Sequence, residues 1–174
     1  MGVLARVRPD NVYRSRVTMN WLTRAWATGG LDDEEWEAHL RAYRRHCAEV
    51  RPRLSGGAEL LLDGINLHDA QIHSFEHGTD GSLAMRALIG DLQVGYSFIE
   101  LTFVDAEVRL EAGRDGEELS LTGPGVEIHY DEIDVQPDGR FVHRVLLWPD
   151  GEYEVTFSAL TEHRVPADPS DRRR

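Results

Sequence analysis

At Ser55-Gly56-Gly57 the hydrophobic pattern of this chain passes from a helical period to a period of two, and beyond that break it does not change back. Ala70–Glu76 and Leu83–Ile89 flank the turn Gly78-Thr79-Asp80-Gly81. Ser97–Leu110 reads as one long strand whose inward phase slips near Val104, as a bulge would make it. Val126–Val135 follows the corner Gly123-Pro124-Gly125. Arg140–Trp148 and Glu152–Leu160 each follow Pro-Asp-Gly, at 137–139 and 149–151, where Pro presets φ and Gly accepts a positive one. No helical pattern separates these strands, which excludes a parallel sheet built from crossover helices. The pattern predicts an α+β fold with N-terminal helices packed on an antiparallel β-sheet, as a sandwich or partial barrel.

Ahead of the break, residues 18–28 place Trp21, Leu22, Ala25 and Trp26 at helical spacing behind a Thr18 N-cap, and Gly29-Gly30 ends the run. Asp32 is then placed to cap a second helix, with Glu35 reaching back as the other half of a capping box. Trp36, His39 or Leu40, Tyr43, Cys47 and Val50 recur on one face of that helix, which should stop before Pro52. The expected organisation is a helical segment over 1–57, a sheet region of the same domain over 58–165, and a tail over 166–174 without fixed structure.

Charge is divided unevenly between these parts. Residues 1–53 carry ten Arg against seven acids, and residues 54–174 carry nine Arg against twenty-four, for a net −12. Such a field repels phosphate-rich partners, so nucleic acid and anionic membrane are set aside and a basic protein is the expected partner. Lys is absent, which excludes Schiff-base chemistry. Cys47 stands alone and reads as a small core residue. Met1–Arg8 alternates apolar residues with Arg and ends at Pro9, unlike a secretory leader, so the cytoplasm is the expected compartment.

Two clusters are candidates for function. His68, Asp69, His73 and His77 fall within ten residues and carry ligand types suited to zinc or a redox metal. On a regular strand His73 and His77 share a face too far apart for one ion. A metal set would therefore join His68, Asp69 and His73 to a neighbour such as His129, Asp131 or His143. The competing reading makes His68-Asp69 a hydrogen-bonded turn at a strand entrance. In the second cluster, Glu127, His129, Asp131 and Asp134 lie along Glu127–Asp134, where acid or His alternates with apolar residues. Alternation puts Glu127, His129 and Asp131 on an outer face opposite Val126, Ile128 and Tyr130, as a docking row for a basic partner or a solvated strand that resists edge pairing. Trp21, Trp26 and Trp36 are either anchors of the helices or exposed anchors of an interface.

The order of a capped helix bearing Trp36 and Tyr43, the string Leu67-His68-Asp69-Ala70, and closing strands with Leu146, Leu147, Trp148, Tyr153 and Phe157 resembles a bacterial family of unknown function over about Asp32 to Val165. The resemblance implies the layout and supplies no catalytic residues. In size and acidity the chain is also similar to immunity proteins of toxin systems, a likeness at fold level. No nucleophile elbow, phosphate loop or His-Glu-x-x-His string occurs. The expectation is a non-catalytic cytoplasmic binding or regulatory module without a cofactor; the alternative is a small metal-dependent enzyme centred on His68 and Asp69.

Overall fold

A computed structural model describes residues 12–13, 19–111 and 119–173. Thr18 and Met1–Arg8 lie outside them. The order is β1 (Val12–Tyr13), α1 (Arg24–Ala27), α2 (Asp33–Val50), α3 (Leu60–Asp63), β2 (Gln71–His77), β3 (Leu83–Asp91), β4 (Gly95–Val104), β5 (Glu107–Leu110), β6 (Glu127–Val135), β7 (Phe141–Trp148), β8 (Glu152–Phe157) and β9 (Ala159–Ala167). Short 3₁₀ turns follow α2 and β9, at Arg51–Arg53 and Pro169–Asp171.

The strands form two sheets, β1-β5-β8-β7-β6 and β2-β3-β4-β9, antiparallel throughout except where β1 runs parallel to β5. The expected α+β architecture is therefore present. The helical segment also contributes a strand, β1, that the periodicity does not indicate.

The phase slip near Val104 marks a corner. β4 and β5 are one chain path broken at Asp105, whose φ of 51° is left-handed, and β8 and β9 are another broken at Ser158. Because β4 pairs with β9 and β5 with β8, both paths pass from one sheet to the other at the same level. Ser158 N–H donates to the carbonyl of Val104 at 2.9 Å, and Ser158 Oγ meets Asp105 Oδ2 at 2.7 Å. On the opposite side, Asp69 N–H donates to Ile128 O and Ile128 N–H to Ala70 O, each at 2.8 Å. The sheets are thus joined by bent strands on one side and by a two-bond seam between the start of β2 and the β6 edge on the other.

Between them lies one core, with Phe75, Met85, Leu101 and Phe103 of the second sheet against Val145, Tyr153, Val155 and Phe157 of the first. Tyr153 and Phe75 meet edge to face at 5.3 Å, as do Phe103 and Phe157 at 5.0 Å. Ala58, Leu61, Ile65 and Leu67 from the α2–β2 connection belong to the same core. Gly57 explains the break that precedes them: its φ is +93° and a Cβ there would collide with the Leu160 carbonyl.

A second, smaller core lies outside the first sheet, where Met19, Leu22 and Trp26 cover Leu146, with Leu40, Tyr43 and Tyr130 packed around them. α2 has the expected capping box: Asp32 accepts from Glu35 N–H at 2.9 Å and Glu35 reaches back to Asp32 N–H. α1 is shorter than expected and is capped by Thr23, which accepts from Trp26 N–H.

The tail departs from expectation. β9 runs on to Ala167, past the predicted end at Leu160, because β4 offers partners as far as Tyr96. The following turn is capped by Asp168, and Arg172 and Arg173 bond to the body of the protein. Asp32→Ala should lower the unfolding free energy by about 1 kcal/mol, seen as a lower denaturant midpoint at unchanged slope. An unchanged midpoint would show that this cap is not coupled to the fold.

Candidate functional site

One extra residue in β6 decides what its carboxylates face. Ile128 pairs with Leu147 and Tyr130 with Leu146, so His129 is a bulge and every later residue is turned to the opposite face. The strict alternation expected for this strand is thereby corrected. Asp131 and Ile133 fall on the core side, while Tyr130, Glu132 and Asp134 fall on the side that carries the helices.

The inward Asp131 meets His143, which is fully buried, at 2.9 Å from Oδ2 to Nε2. A carboxylate accepts, so Nε2 holds the proton. Glu132 is also fully buried, and it is met by main chain: Asn20 N–H at 3.0 Å, Trp21 N–H at 2.7 Å and Leu22 N–H at 2.6 Å. Glu152 takes the preceding amide, Met19 N–H, at 3.1 Å. Four successive amides are thus held by two carboxylates of the sheet.

α2 then closes over the β6 edge. Tyr43 OH donates to Asp131 O at 3.4 Å and His46 Nε2 to Ile133 O at 3.1 Å, while His39 Nδ1 donates to Trp21 O at 2.8 Å. His46 also stacks on Trp21 at 3.9 Å. Cys47 is half-buried and outside both cores, unlike the core residue expected, and burial pushes its thiol up, leaving it protonated.

The proposed acidic row is therefore not a free face in this structure. Glu127 is held by Gln71 and Arg172, both at 2.8 Å, Asp131 by His143, and Asp134 by Arg144 at 3.4 Å and His46 at 3.5 Å.

The other candidate cluster is divided. His68 Nδ1 lies 3.1 Å from Asp69 Oδ2, and the His68 and His129 rings are 5.8 Å apart. His73 is the bulged residue of β2, its ring edge-on to Phe98 at 5.0 Å, away from that pair. Among the described residues no group of three or more His, Cys, Asp or Glu is arranged to hold a metal ion. The turn at the strand entrance is present, since Ala70 N–H donates to Leu67 O at 3.0 Å and Asp69 has a φ of 61°. Its amide acceptor is Asn66, which takes His68 N–H at 3.1 Å, rather than the His68 or Asp69 side chain.

What the structure does assemble around His68 is an aromatic strip. His68 meets Tyr130 edge to face at 5.0 Å, His129 lies 4.6 Å from Tyr130 and 5.6 Å from Trp148, and Trp26 joins Tyr130 to a stacked Trp36 at 5.1 Å. Trp148 is 49% exposed and Trp36 38%. Trp26 is an anchor, its Nε1 donating to Trp36 O at 3.1 Å. His68 and Asp69 also line an open cleft of about 820 Å³ with Asp63, Asn66, Asp91, Val94 and Arg164 among its walls. Leu92 and Val94 stand 83% and 80% exposed at the tip of the β3–β4 turn. The Val94 and Gln93 amides hold the Asp91 carboxyl below the usual carboxylate range, so it stays ionised at neutral pH.

No protein-family model, curated protein or solved structure matches this chain. The likeness of layout drawn on Leu67–Ala70 therefore transfers no role to any residue. Glu132, Tyr130 and Trp148 were not singled out for function by the sequence pattern. Glu132 stands between Asp131 and Ile133, so nothing local in the sequence marks it as buried until the bulge is known.

Burial sets His73, His77 and His129 below the ordinary histidine value, His129 further through the nearby His68 charge. A folded-state value below the unfolded 6.5 means that these groups contribute stability above that pH and lose it as pH falls through their lowered values. The melting temperature should decline from about pH 6.5 downward, and NMR titration should place all three midpoints below the ordinary value. Midpoints at or above it would contradict the burial seen here.

Proposed function

We propose that this chain is a non-catalytic binding module for a basic protein partner, and that the partner docks on the cleft and aromatic strip that share His68. The observation that carries the reading is that Asp69 and an ionised Asp91 line one cleft beside the exposed apolar tip Leu92–Val94, while the exposed ring of Trp148 joins the same His68 through His129. Carboxylates select a cation, exposed rings accept a cation on their faces, and the apolar tip adds area that loses water on contact. The net charge of −12 favours fast encounter with such a partner at low salt. An inhibitor of a basic toxin, acting in the cytoplasm, is one form this module would take. No helix among the described residues is long and apolar enough to cross a membrane.

The acidic row of β6 supports this reading less well than the cleft does, because Glu127, Asp131 and Asp134 already have internal partners. In the test, an oligo-lysine peptide is titrated against the protein by calorimetry, with oligo-glutamate as control. Binding should weaken with added salt, and Asp91→Asn combined with Trp148→Ala should weaken it about fivefold or more, the sum of one exposed ion pair and one cation–π contact. Affinity that ignores both salt and these substitutions would refute the assignment.

A further inference from the structure

The seam between β2 and β6 is filled by the protein's own tail, and the filling has a specific chemistry. Gln71, 1% exposed, brackets the main chain of Arg173: its Oε1 accepts the Arg173 N–H at 2.8 Å and its Nε2 donates to the Arg173 carbonyl at 3.0 Å. The same Nε2 donates to Glu127 Oε1 at 2.8 Å, fixing the carboxylate that receives Arg172 Nη2, also at 2.8 Å. Arg172 Nη1 reaches Asp69 O at 3.4 Å. The guanidinium of Arg173 is given to carbonyls alone, Ile72 O at 2.8 Å and Thr122 O. One side-chain amide thus reads the backbone, while a carboxylate and three carbonyls read two guanidinium groups.

Acceptors spread in this way suit the planar, forked donors of Arg and not the compact ammonium of Lys. The occupant is held lightly. None of residues 168–173 is buried, and the attachments of Arg172 and Arg173 described above are polar. Segments of that kind open locally at far less than the free energy of global unfolding.

We propose that the Gln71–Glu127 seam is a receptor for a diarginine segment, occupied in cis by Arg172-Arg173 and open in trans to a basic partner that displaces them. The proposal takes from the reading above only the basic character of the partner. Its site is separate from the walls of the cleft except at Asp69, whose carbonyl it uses. A tethered tail has an effective concentration in the millimolar range or higher, so a short free peptide reports on the site best when the cis arginines are gone.

The test uses a synthetic peptide with the sequence of residues 168–173, titrated into isotopically labelled full-length protein and into Arg172→Ala/Arg173→Ala. The readout is the side-chain amide resonance of Gln71. Expected are binding at least tenfold tighter to the doubly substituted protein, a loss of at least tenfold when Glu127→Gln is added, and a similar loss when the peptide carries Lys for Arg. A folded double variant whose Gln71 resonance the peptide does not move overturns the proposal, and so does an equal response to the Lys peptide. Should the double variant fail to fold, amide exchange of Arg173 in the unsubstituted protein decides. Exchange much faster than that of Val145 in the core supports a displaceable tail, and exchange at the rate of global unfolding overturns it. Oligo-lysine binding at Asp91 and Trp148 reports on the cleft and the aromatic strip, so either site can fail without the other.

Discussion

A buried carboxylate on a strand, that of Glu132, is the interaction on which the layout of the helical side depends. A carboxylate in an apolar setting is tolerated only when its oxygens are met by donors, and here three consecutive main-chain amides meet both of them. Hydrogen bonds to a charged group are each worth about 1.5–3 kcal/mol, and unpaired amides at the same place would carry a comparable penalty. Residues 19–22 are therefore pinned to the outer face of β6. Pinning them places Leu22 and Trp26 over Leu146, sets Trp21 under His46 and gives α2 a surface to close upon.

The bulge at His129 is what puts Glu132 there. Without the extra residue, Glu132 would face the core and Asp131 the helices, and neither His143 nor the amides of residues 20–22 would find its partner. The same bulge turns Tyr130 outward, where it links Trp26 to His68 and so joins the helical core to the rim of the cleft. A single irregularity in one edge strand thus sets the internal polar pairs and the surface offered to a partner. At the β6 edge, main-chain groups that would otherwise invite another strand are taken by Asp69, Ala70, Tyr43 and His46.

How much of this was legible in the sequence follows from how local each cause is. The capping box of Asp32 and Glu35 and the Pro-Asp-Gly turns rest on neighbouring residues, and the structure has both; the phase slip near Val104 was legible too, but it breaks the expected single strand Ser97–Leu110 into two strands of different sheets. The bulge carries no such mark. His129 is neither Gly nor Pro, and an alternating strand reads equally well in either phase once a residue is looped out. Hence the alternating pattern puts Asp131 on an open row with Glu127 and gives no sign that Glu132 is buried against the helices. The placement of the tail is not legible for the same kind of reason, because the groups that fix Arg173, at Gln71, Ile72 and Thr122, lie 51 to 102 residues away in sequence. The His68 and His129 rings lie 5.8 Å apart, while His73 sits at a bulge of β2 against Phe98, and neither placement is marked in the local sequence.

The most direct measurement of the Glu132 anchor is residue-resolved amide exchange at Asn20, Trp21 and Leu22, in the unsubstituted protein and in Glu132→Gln. Removing the charge while keeping the shape weakens the acceptor shared by these amides. Protection at the three positions should fall by roughly a hundredfold, the equivalent of one or two charge-assisted bonds, while Val145 and Val155 in the main core keep theirs. Equal protection at residues 20–22 in the two proteins would contradict the account and move the anchor of the helical segment to Trp26 and its apolar contacts.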